Sequence, residues 1–345
     1  MIKISTISLL FLLAANSCAI RHDAKGPSDV IYVLTSDEVK SKVQVAIDTT
    51  FSYGIRTPEF ERYFYTDWRP LNLLSEYIKF PNTIVVADLN RQDAATNFIQ
   101  SLLTDERRDL IKQDTVAMFA LEDYWRNKQM LVLIAGYDLD KLSAYILERK
   151  AWLYSKFNKK YNERQFQYLY SRLEQKNLSE KLWKVYRWTM RIPSDYLIIR
   201  EDPAHNFVWL GRGQPYRWIS VCWGDGIQTE WLTPNGLYKK REEIGTLYRQ
   251  IKTEKRFLGY QYEKLAEWDA LRMYGLWYHE EQAQGGPFVT YAFYDKVSDR
   301  SFVVDMLVFY PGRKNTDYIR FLEIMAHTFR TTEAENQSDS AKTAE

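Results

Sequence analysis

The stretch Phe302-Val-Val-Asp-Met-Leu-Val-Phe-Tyr310 decides the fold of the C-terminal half of this chain. It is a run of large apolar residues interrupted by Asp305, and Pro311-Gly312 ends it. A bounded apolar run of this length predicts a strand buried in a sheet. Two upstream segments, Arg272 to Glu281 and Phe288 to Tyr294, are similar in character, so the three predicted strands form a meander.

Helices and further strands flank this meander. The segment from Asn315 to Phe329 has its apolar residues on one side, which predicts a helix. A second helix is predicted from Asn235 to Lys252. Upstream of it, short segments separated by turns rich in Gly and Pro predict three strands: Tyr196–Arg200, Phe207–Leu210 and Trp218–Trp223.

The N-terminal half also mixes strands and helices. Thr83 to Asp88 is an apolar run typical of a buried strand, and Asp93 to Lys112 has the spacing of one amphipathic helix. A strand pair is predicted over Thr115–Trp125 and Gln129–Ala135. Glu59 to Tyr65 alternates polar and aromatic residues, as a half-buried strand does.

A helical segment joins the two halves. Asp138 to Trp188 contains neither Gly nor Pro, and a break near Asn177-Leu-Ser179 divides it into two predicted helices. The fold class is therefore predicted to be α+β, with two mixed α/β sandwich-like domains joined by a long helical segment. The predicted parts are a lipoprotein signal peptide (1–17), a tether (18–28), an N-terminal α+β domain (29–137), the helical segment (138–189), a C-terminal α+β domain (190–330) and a disordered tail (331–345).

The composition limits the classes of function. Lys and Arg total 47 and Asp and Glu total 45, and this balance argues against a nucleic-acid binder, which carries a basic excess. Aromatic residues make up 15% of the chain. They can form a core of large side chains or an exposed platform for glycans or partner proteins, and the general tendency of aromatics to be buried favours the core.

The N-terminus has the pattern of an export signal. Lys3 supplies a positive charge, Ile4 to Ala15 is apolar but too short to span a membrane, and small residues precede Cys18. In bacterial lipoproteins such a cysteine receives diacylglycerol, so we predict lipid attachment at Cys18. The alternative is an ordinary cleaved signal followed by a chance cysteine. Ala19, where Asp would favour retention in the inner membrane, favours an outer-membrane address facing the periplasm.

The second cysteine, Cys222, lies in a predicted strand, Ile219 to Trp223. If Cys18 carries lipid, Cys222 has no cysteine left to pair with. We therefore expect a buried and unreactive thiol.

The sequence contains no established catalytic or metal-binding motif. The four histidines lack the spacing of a zinc site, and neither a P-loop nor a dinucleotide fingerprint nor a serine-hydrolase elbow occurs. We therefore predict no cofactor and no metal. The best local constellation is Trp277-Tyr-His279-Glu-Glu281, because Trp277, His279 and Glu281 would share one face of a strand.

This constellation is interpreted as a candidate binding surface rather than a catalytic site. Alternation along the strand places Tyr274, Leu276 and Tyr278 on the opposite face, and we expect that face to point to the core. Asp305 is a second candidate, either as a buried functional carboxylate or as a hydrogen-bonded structural one.

Short motifs in the C-terminal third carry a family resemblance. They are Gly275-Leu-Trp277, Gly285-Gly-Pro-Phe288 with Tyr291 following, and Phe309-Tyr-Pro-Gly312 before Lys314; Ile192-Pro193 and Phe207-Val-Trp209 fit the same pattern. With these motifs the chain resembles a family of lipoproteins of unknown function from Bacteroidetes. The resemblance runs over most of the mature chain. It implies an envelope lipoprotein and assigns no catalytic residue.

Two classes of function stay open at this point. The favoured one is a non-catalytic binding or assembly component of the cell envelope, held at the membrane by its lipid anchor and bound to an envelope protein or polymer. The alternative is an envelope hydrolase acting on cell-wall or exported material, with Glu281, His279 or Asp305 as acid or base. An enzyme should bring two of these groups together in a deep pocket.

Overall fold

Apolar strands and the helices that cover them build two separate units. The computed structural model describes residues 21–114, 116–171, 173–248 and 250–332. The described residues form helices and several sheets, which confirms the predicted α+β class. The predicted signal peptide and Cys18 lie outside the described residues, as does the predicted tail from residue 333 onward.

Elements are numbered along the chain. The strands are β1 (Val30–Thr35), β2 (Gly54–Arg56), β3 (Phe60–Arg62), β4 (Tyr65–Pro70), β5 (Asn82–Asp88), β6 (Val116–Glu122), β7 (Met130–Gly136), β8 (Leu197–Asp202), β9 (Phe207–Arg212), β10 (Tyr216–Asp225), β11 (Ile251–Leu265), β12 (Trp268–His279), β13 (Gly285–Asp295) and β14 (Arg300–Phe309). The α-helices are α1 (Asp37–Thr50), α2 (Leu74–Tyr77), α3 (Ala94–Leu102), α4 (Asp105–Asp114), α5 (Leu139–Glu148), α6 (Lys150–Tyr170), α7 (Lys176–Tyr186), α8 (Pro234–Leu247) and α9 (Thr316–Ala326).

The chain crosses between the units more often than the sequence suggested. Of the described residues, the first unit takes those up to Lys40 and those of Trp68–Leu139, and the second takes those of Ser41–Asp67 and those from Asp140 onward. The second unit therefore includes both the helical segment and a stretch predicted to belong to the N-terminal domain. Aromatic packing explains this division, because Phe51 stacks edge-on against Phe157 of α6 at 5.6 Å between ring centroids.

The first unit is built on a five-stranded sheet in the order β4-β1-β5-β7-β6. Strands β1, β5 and β7 are parallel, and β6 runs antiparallel to β7, as predicted for that pair. Every residue of β5 and β7 is buried, which explains their continuous apolar runs. Ala95 and Ile99 of α3 pack on this sheet.

Two predicted helical stretches are divided differently in the structure. The single helix expected over 93–112 is two helices, because Leu103 after α3 is extended. The break expected near Asn177 lies earlier, between α6 and α7. There the backbone N–H of Gln175 donates to the carbonyl of Ile192, which takes the chain out of the helical path. At the C-terminus Thr331, predicted as the first residue of the tail, is buried and donates to Asp295.

The second unit is built on a seven-stranded antiparallel sheet in the order β11-β12-β13-β14-β10-β9-β8. Strand β14 lies at its centre, and helices cover both faces. Val304 and Met306 belong to the same buried cluster as residues of α9, whereas Val303 and Leu307 cluster with residues of α8. Burial of both faces explains why β14 is almost continuously apolar instead of alternating.

The edge strand β11 was not predicted, and the helix expected to reach Lys252 ends at Leu247. Strand β11 is rich in exposed polar residues and has a register shift between Glu254 and Gly259. An edge strand needs no apolar alternation, and bulges and charges are usual there. The strand matters because it carries part of the site described below.

The burial of Cys222 leads to a first prediction. Its side chain is 2% exposed, its thiol donates to the carbonyl of His205 at 3.8 Å, and burial raises the pKa of the thiol. In a Cys18→Ala variant, whose only cysteine is Cys222, we expect an aromatic disulfide reagent to react on the order of a thousandfold more slowly than with the same protein in urea, because reaction requires opening of the fold. Equal rates in the two conditions would contradict the buried position.

Candidate functional site

A cavity of about 440 Å³ lies within the second unit. Its walls come from three strands at one end of the sheet, β11, β12 and β13, and from helices α6 and α9. We call it the Arg272 cavity after the guanidinium that lies between its two carboxylates.

Sheet register places the polar residues of the strands side by side. Gln261 of β11 pairs with Arg272 of β12, which in turn pairs with Tyr291 of β13. Paired residues on neighbouring strands point to the same face, so these side chains form one row. Glu263 is two residues from Gln261 and shares that face.

Helix α9 supplies the opposite wall, and Glu61 fixes the beginning of this helix. One carboxylate oxygen of Glu61 accepts hydrogen bonds from the backbone N–H groups of Asn315 at 2.9 Å and Thr316 at 2.8 Å. A carboxylate at a helix N-terminus satisfies free N–H groups and complements the helix dipole. The capped helix then presents Arg320 and Glu323 to the cavity.

The guanidinium of Arg272 links two carboxylates. Its Nε donates to Glu323 Oε1 at 3.0 Å and lies 3.4 Å from Glu263 Oε1. Burial alone would lower the pKa of Arg272, but the combined attraction of the acidic groups around it, Glu323 foremost, outweighs burial and raises the pKa well above its usual value. Arg272 is therefore a permanent cation held between two acidic side chains.

The phenol of Tyr291 contacts the same two carboxylates. Its oxygen lies 2.7 Å from Glu263 Oε1 and 3.1 Å from Glu323 Oε1. Burial, reinforced by the negative charge of Glu323, raises the pKa of Tyr291, so the phenol keeps its proton. One phenol can donate to only one acceptor at a time, so the carboxylates retain free acceptor capacity.

Arg320 contributes a second cation without a carboxylate partner among the residues that the structure describes. Its guanidinium donates to Asn158 Oδ1 at 2.7 Å and to the carbonyl of Tyr63 at 3.2 Å. It also lies 3.3 Å from the ring centroid of Tyr161. Backbone, amide and aromatic groups thus stabilise this charge, the last through a cation–π contact.

His327 lies at the rim of the cavity. Its Nδ1 accepts a hydrogen bond from the backbone N–H of Ala266 at 3.1 Å, and burial of its inner edge lowers the pKa of the imidazole. A neutral ring that accepts at Nδ1 carries its proton on Nε2. His327 can therefore offer one donor at the rim near neutral pH.

The charges of the cavity are balanced. Glu263 and Glu323 oppose Arg272 and Arg320, and Lys264 at the edge forms its own salt bridge with Asp269 at 2.9 Å. Donors and acceptors of both kinds therefore face a space that has no excess of either sign. Such a site suits a neutral ligand with several hydroxyl or amide groups.

The residues singled out from the sequence do not form this site. Trp277 is 1% exposed and donates from Nε1 to the carbonyl of Val308, so it belongs to the core beneath the sheet. The expectation that Tyr278 faces the core is wrong, because its side chain is 42% exposed. His279 ends β12, and its Nδ1 accepts from the backbone N–H of the exposed Glu281.

Asp305 was predicted to be either a functional or a structural buried carboxylate. Its side chain is buried within the sheet and does not line the Arg272 cavity. It is 0% exposed and accepts from Arg241 Nε at 3.1 Å and from the hydroxyl of Thr290. Arg241 is itself buried and stacks on the ring of Phe288 at 3.6 Å. Asp305 and His279 therefore do not converge in a pocket, and the Asp305–Arg241 pair is a structural feature of the sheet.

This closed pair gives a second prediction. Arg241→Met should lower the free energy of unfolding by about 3–5 kcal/mol, because it leaves the charge of Asp305 buried without its cation. The double variant Arg241→Met/Asp305→Leu should recover at least half of that loss, since neither charge is then buried. Urea denaturation of the wild type and of the single and double variants measures the difference. A double variant less stable than Arg241→Met would contradict this account.

The part of the chain that the structure describes contains neither a metal-binding cluster nor a membrane-spanning helix. No group of three or more His, Cys, Asp or Glu side chains is arranged to hold a metal ion. In the same residues, no helix combines the length and the apolar character needed to cross a bilayer.

Comparison with solved structures gives only distant similarity. A protein from Bacteroides thetaiotaomicron is similar at 11% identity over 42% of this chain, with a TM-score of 0.25, and the match spans 45% of that protein. The Ran-binding protein Mog1p of Saccharomyces cerevisiae is similar at 12% identity over 43% of this chain and 92% of its own, with a TM-score of 0.31. LpqN of Mycobacterium tuberculosis, described as involved in cell envelope biogenesis, is similar at 9% identity over 41% and 81%, with a TM-score of 0.27. Similarity at this level supports no inference about function.

Comparison with protein families is more informative about the C-terminal part. No curated protein matches the chain. Residues 175–328, which include β11 to β14 and α9, match the domain of unknown function DUF4837. A DUF4837 domain is therefore present in the second unit.

Proposed function

We propose that this protein is an exported lipoprotein of the cell envelope whose second unit binds a neutral polar ligand in the Arg272 cavity. The anchor is Cys18, and the address is the outer membrane facing the periplasm. The signal pattern before Cys18 and Ala19 after it support the anchor and the address. The partner is a small molecule or the end of an envelope polymer rather than nucleic acid.

The main evidence for a binding role is that a network of paired charges lines the cavity and still has unused hydrogen-bond acceptors. A carboxylate has about four acceptor positions, and Arg272 and Tyr291 use only some of those on Glu263 and Glu323. The side chains of Glu263 and Glu323 are 32% and 16% exposed, so their remaining lone pairs reach the cavity. Hydroxyl groups of a ligand can satisfy them without disturbing the network.

Aromatic side chains add apolar contact area to the cavity. Tyr53 and Tyr154 line it, and their ring centroids lie 5.0 Å apart. A ligand with apolar C–H faces and polar edges can pack on these rings while its hydroxyls bind the charged groups. Sugars and other polyols have this character.

A hydrolase is the second candidate because two carboxylates meet in one cavity. Glu263 and Glu323 contact a single phenol oxygen, and carboxylate pairs at short separation serve as acid and nucleophile in glycoside hydrolysis. We favour binding over hydrolysis because Glu263 and Glu323 have the same two partners, Arg272 and Tyr291, and so have similar surroundings. Nothing in this arrangement sets one carboxylate apart as a proton donor.

The anchor can be tested by metabolic labelling with an alkyne fatty acid. We expect labelled wild-type protein in the membrane fraction and complete loss of label in Cys18→Ala, because the thiol is the attachment point. Cys222→Ala is the matched control and should label like the wild type. Label that persists in Cys18→Ala would refute attachment at this residue.

The cavity can be tested with neutral monosaccharides. We expect glucose, galactose, mannose, xylose or N-acetylglucosamine to give ligand-observed NMR saturation transfer with millimolar affinity. Glu323→Gln should weaken that binding about tenfold or more, because it removes a charged acceptor. Glu280→Gln, an exposed glutamate outside the cavity, is the control and should bind normally.

Two results would contradict the binding role. Failure of every monosaccharide to bind would exclude a sugar site. Release of nitrophenol from the corresponding aryl glycosides, abolished by Glu323→Gln, would favour the hydrolase instead. Thermal unfolding of each variant shows whether a loss of binding reflects a loss of folding.

A further inference from the structure

A groove of about 760 Å³ runs along α6 in the second unit. Its α6 wall includes Ser155, Lys159, Phe166 and Gln167, whose spacing follows one stripe of the helix. The other wall is formed by Ile324, His327 and Thr328, at and just after the end of α9. We call it the α6–α9 groove.

The groove adjoins the Arg272 cavity. Asn158, Asn162, Ile324 and His327 line both, so the two spaces are direct neighbours. The cavity is the more enclosed and more polar of the two spaces, and the groove is larger and more open. A chain-like ligand fits this arrangement better than a compact one.

The groove has little net charge, and more of its lining surface is apolar than polar. Lys159 and Glu163 lie 3.9 Å apart and offset each other. The amides of Asn162 and Gln167 make no hydrogen bond to another residue within the described chain, so both are available to a ligand. Phe166 adds an aromatic surface. The guanidinium of Arg191 lies 4.7 Å from the centroid of its ring.

We propose that the cavity and the groove together bind the end of a neutral oligosaccharide, with the terminal sugar in the Arg272 cavity and the following sugars along α6. The proposal rests on the proposed binding function and names its ligand class. Free amides, an aromatic face and balanced charge are suited to successive hydroxylated rings. Each sugar beyond the first adds contacts without requiring a new pocket.

Other occupants fit the observations less well. An extended peptide usually binds by adding a strand to a sheet edge, and two helix faces form this groove. An amphipathic helix needs several large apolar anchors at helical spacing, whereas Phe166 and Ile324 are the two large apolar side chains among the described residues that line this groove. A charged polymer would meet no excess of the opposite sign.

The test compares chain lengths with the full-length protein. Isothermal titration with glucose, mannose, xylose and N-acetylglucosamine is repeated with cellohexaose, maltohexaose, mannohexaose, xylohexaose and chitohexaose. We expect at least one hexasaccharide to bind about tenfold or more tightly than its monosaccharide, because the groove adds contacts to the same cavity.

Groove variants locate the source of that gain. Phe166→Leu and Gln167→Ala should each reduce hexasaccharide affinity by between about twofold and tenfold and leave monosaccharide affinity unchanged. Gln165→Ala is the matched control, since Gln165 lies on the same helix outside the groove, and it should bind both ligands normally. Gln167 is exposed, so its variant should fold normally whatever happens at Phe166.

The outcomes separate the two proposals. Equal affinity for monosaccharide and hexasaccharide would overturn the groove proposal and leave the cavity function standing. A gain with chain length that both groove variants retain would also overturn it. If no monosaccharide binds, the proposed function fails as well, whatever the hexasaccharides do.

Discussion

The buried guanidinium of Arg272 is the constraint on which the second unit depends. It lies on a face of the sheet that α9 covers, where an unpaired charge would be strongly unfavourable. The register of β11, β12 and β13 places Tyr291 beside it and brings Glu263 within reach, while α9 supplies Glu323. The cavity lies beside this charge network, between the sheet and the helices α6 and α9.

The position of α9, which lines the cavity, is fixed by contacts with residues near β3. The carboxylate of Glu61 accepts from the first N–H groups of this helix, and Arg320 donates back to the carbonyl of Tyr63. A segment that precedes most of the first unit in sequence therefore positions a helix near the C-terminus. This explains why residues 41–67 fold with the second unit, and it means that the DUF4837 match at 175–328 does not cover every residue that shapes the cavity.

The strands that are buried on both faces could be predicted from the sequence. The edge strand and the site residues, which depend on contacts between distant parts of the chain, could not. The apolar runs of β5, β7 and β14 were recognised because both faces of those strands are covered. Strand β11 was missed because an exposed edge imposes no apolar pattern. Site residues were missed because Tyr63, Glu263 and Glu323 are far apart in sequence and share no motif. One usable signal was present, since Arg272 interrupts an apolar strand and a cation there must have partners.

Two charged clusters on one sheet differ in how they are covered. Arg241 and Asp305 lie on the face beneath α8 and are sealed, so their hydrogen bonds can contribute only to the fold. Arg272 and its carboxylates lie on the opposite face, where α6 and α9 leave a space beside them. The chemistry of the two clusters is nearly the same, a guanidinium held by carboxylate and hydroxyl groups. What differs is access: the charged groups of the Arg241 pair are covered, whereas those around Arg272 face a cavity, and the proposed binding function rests on this difference.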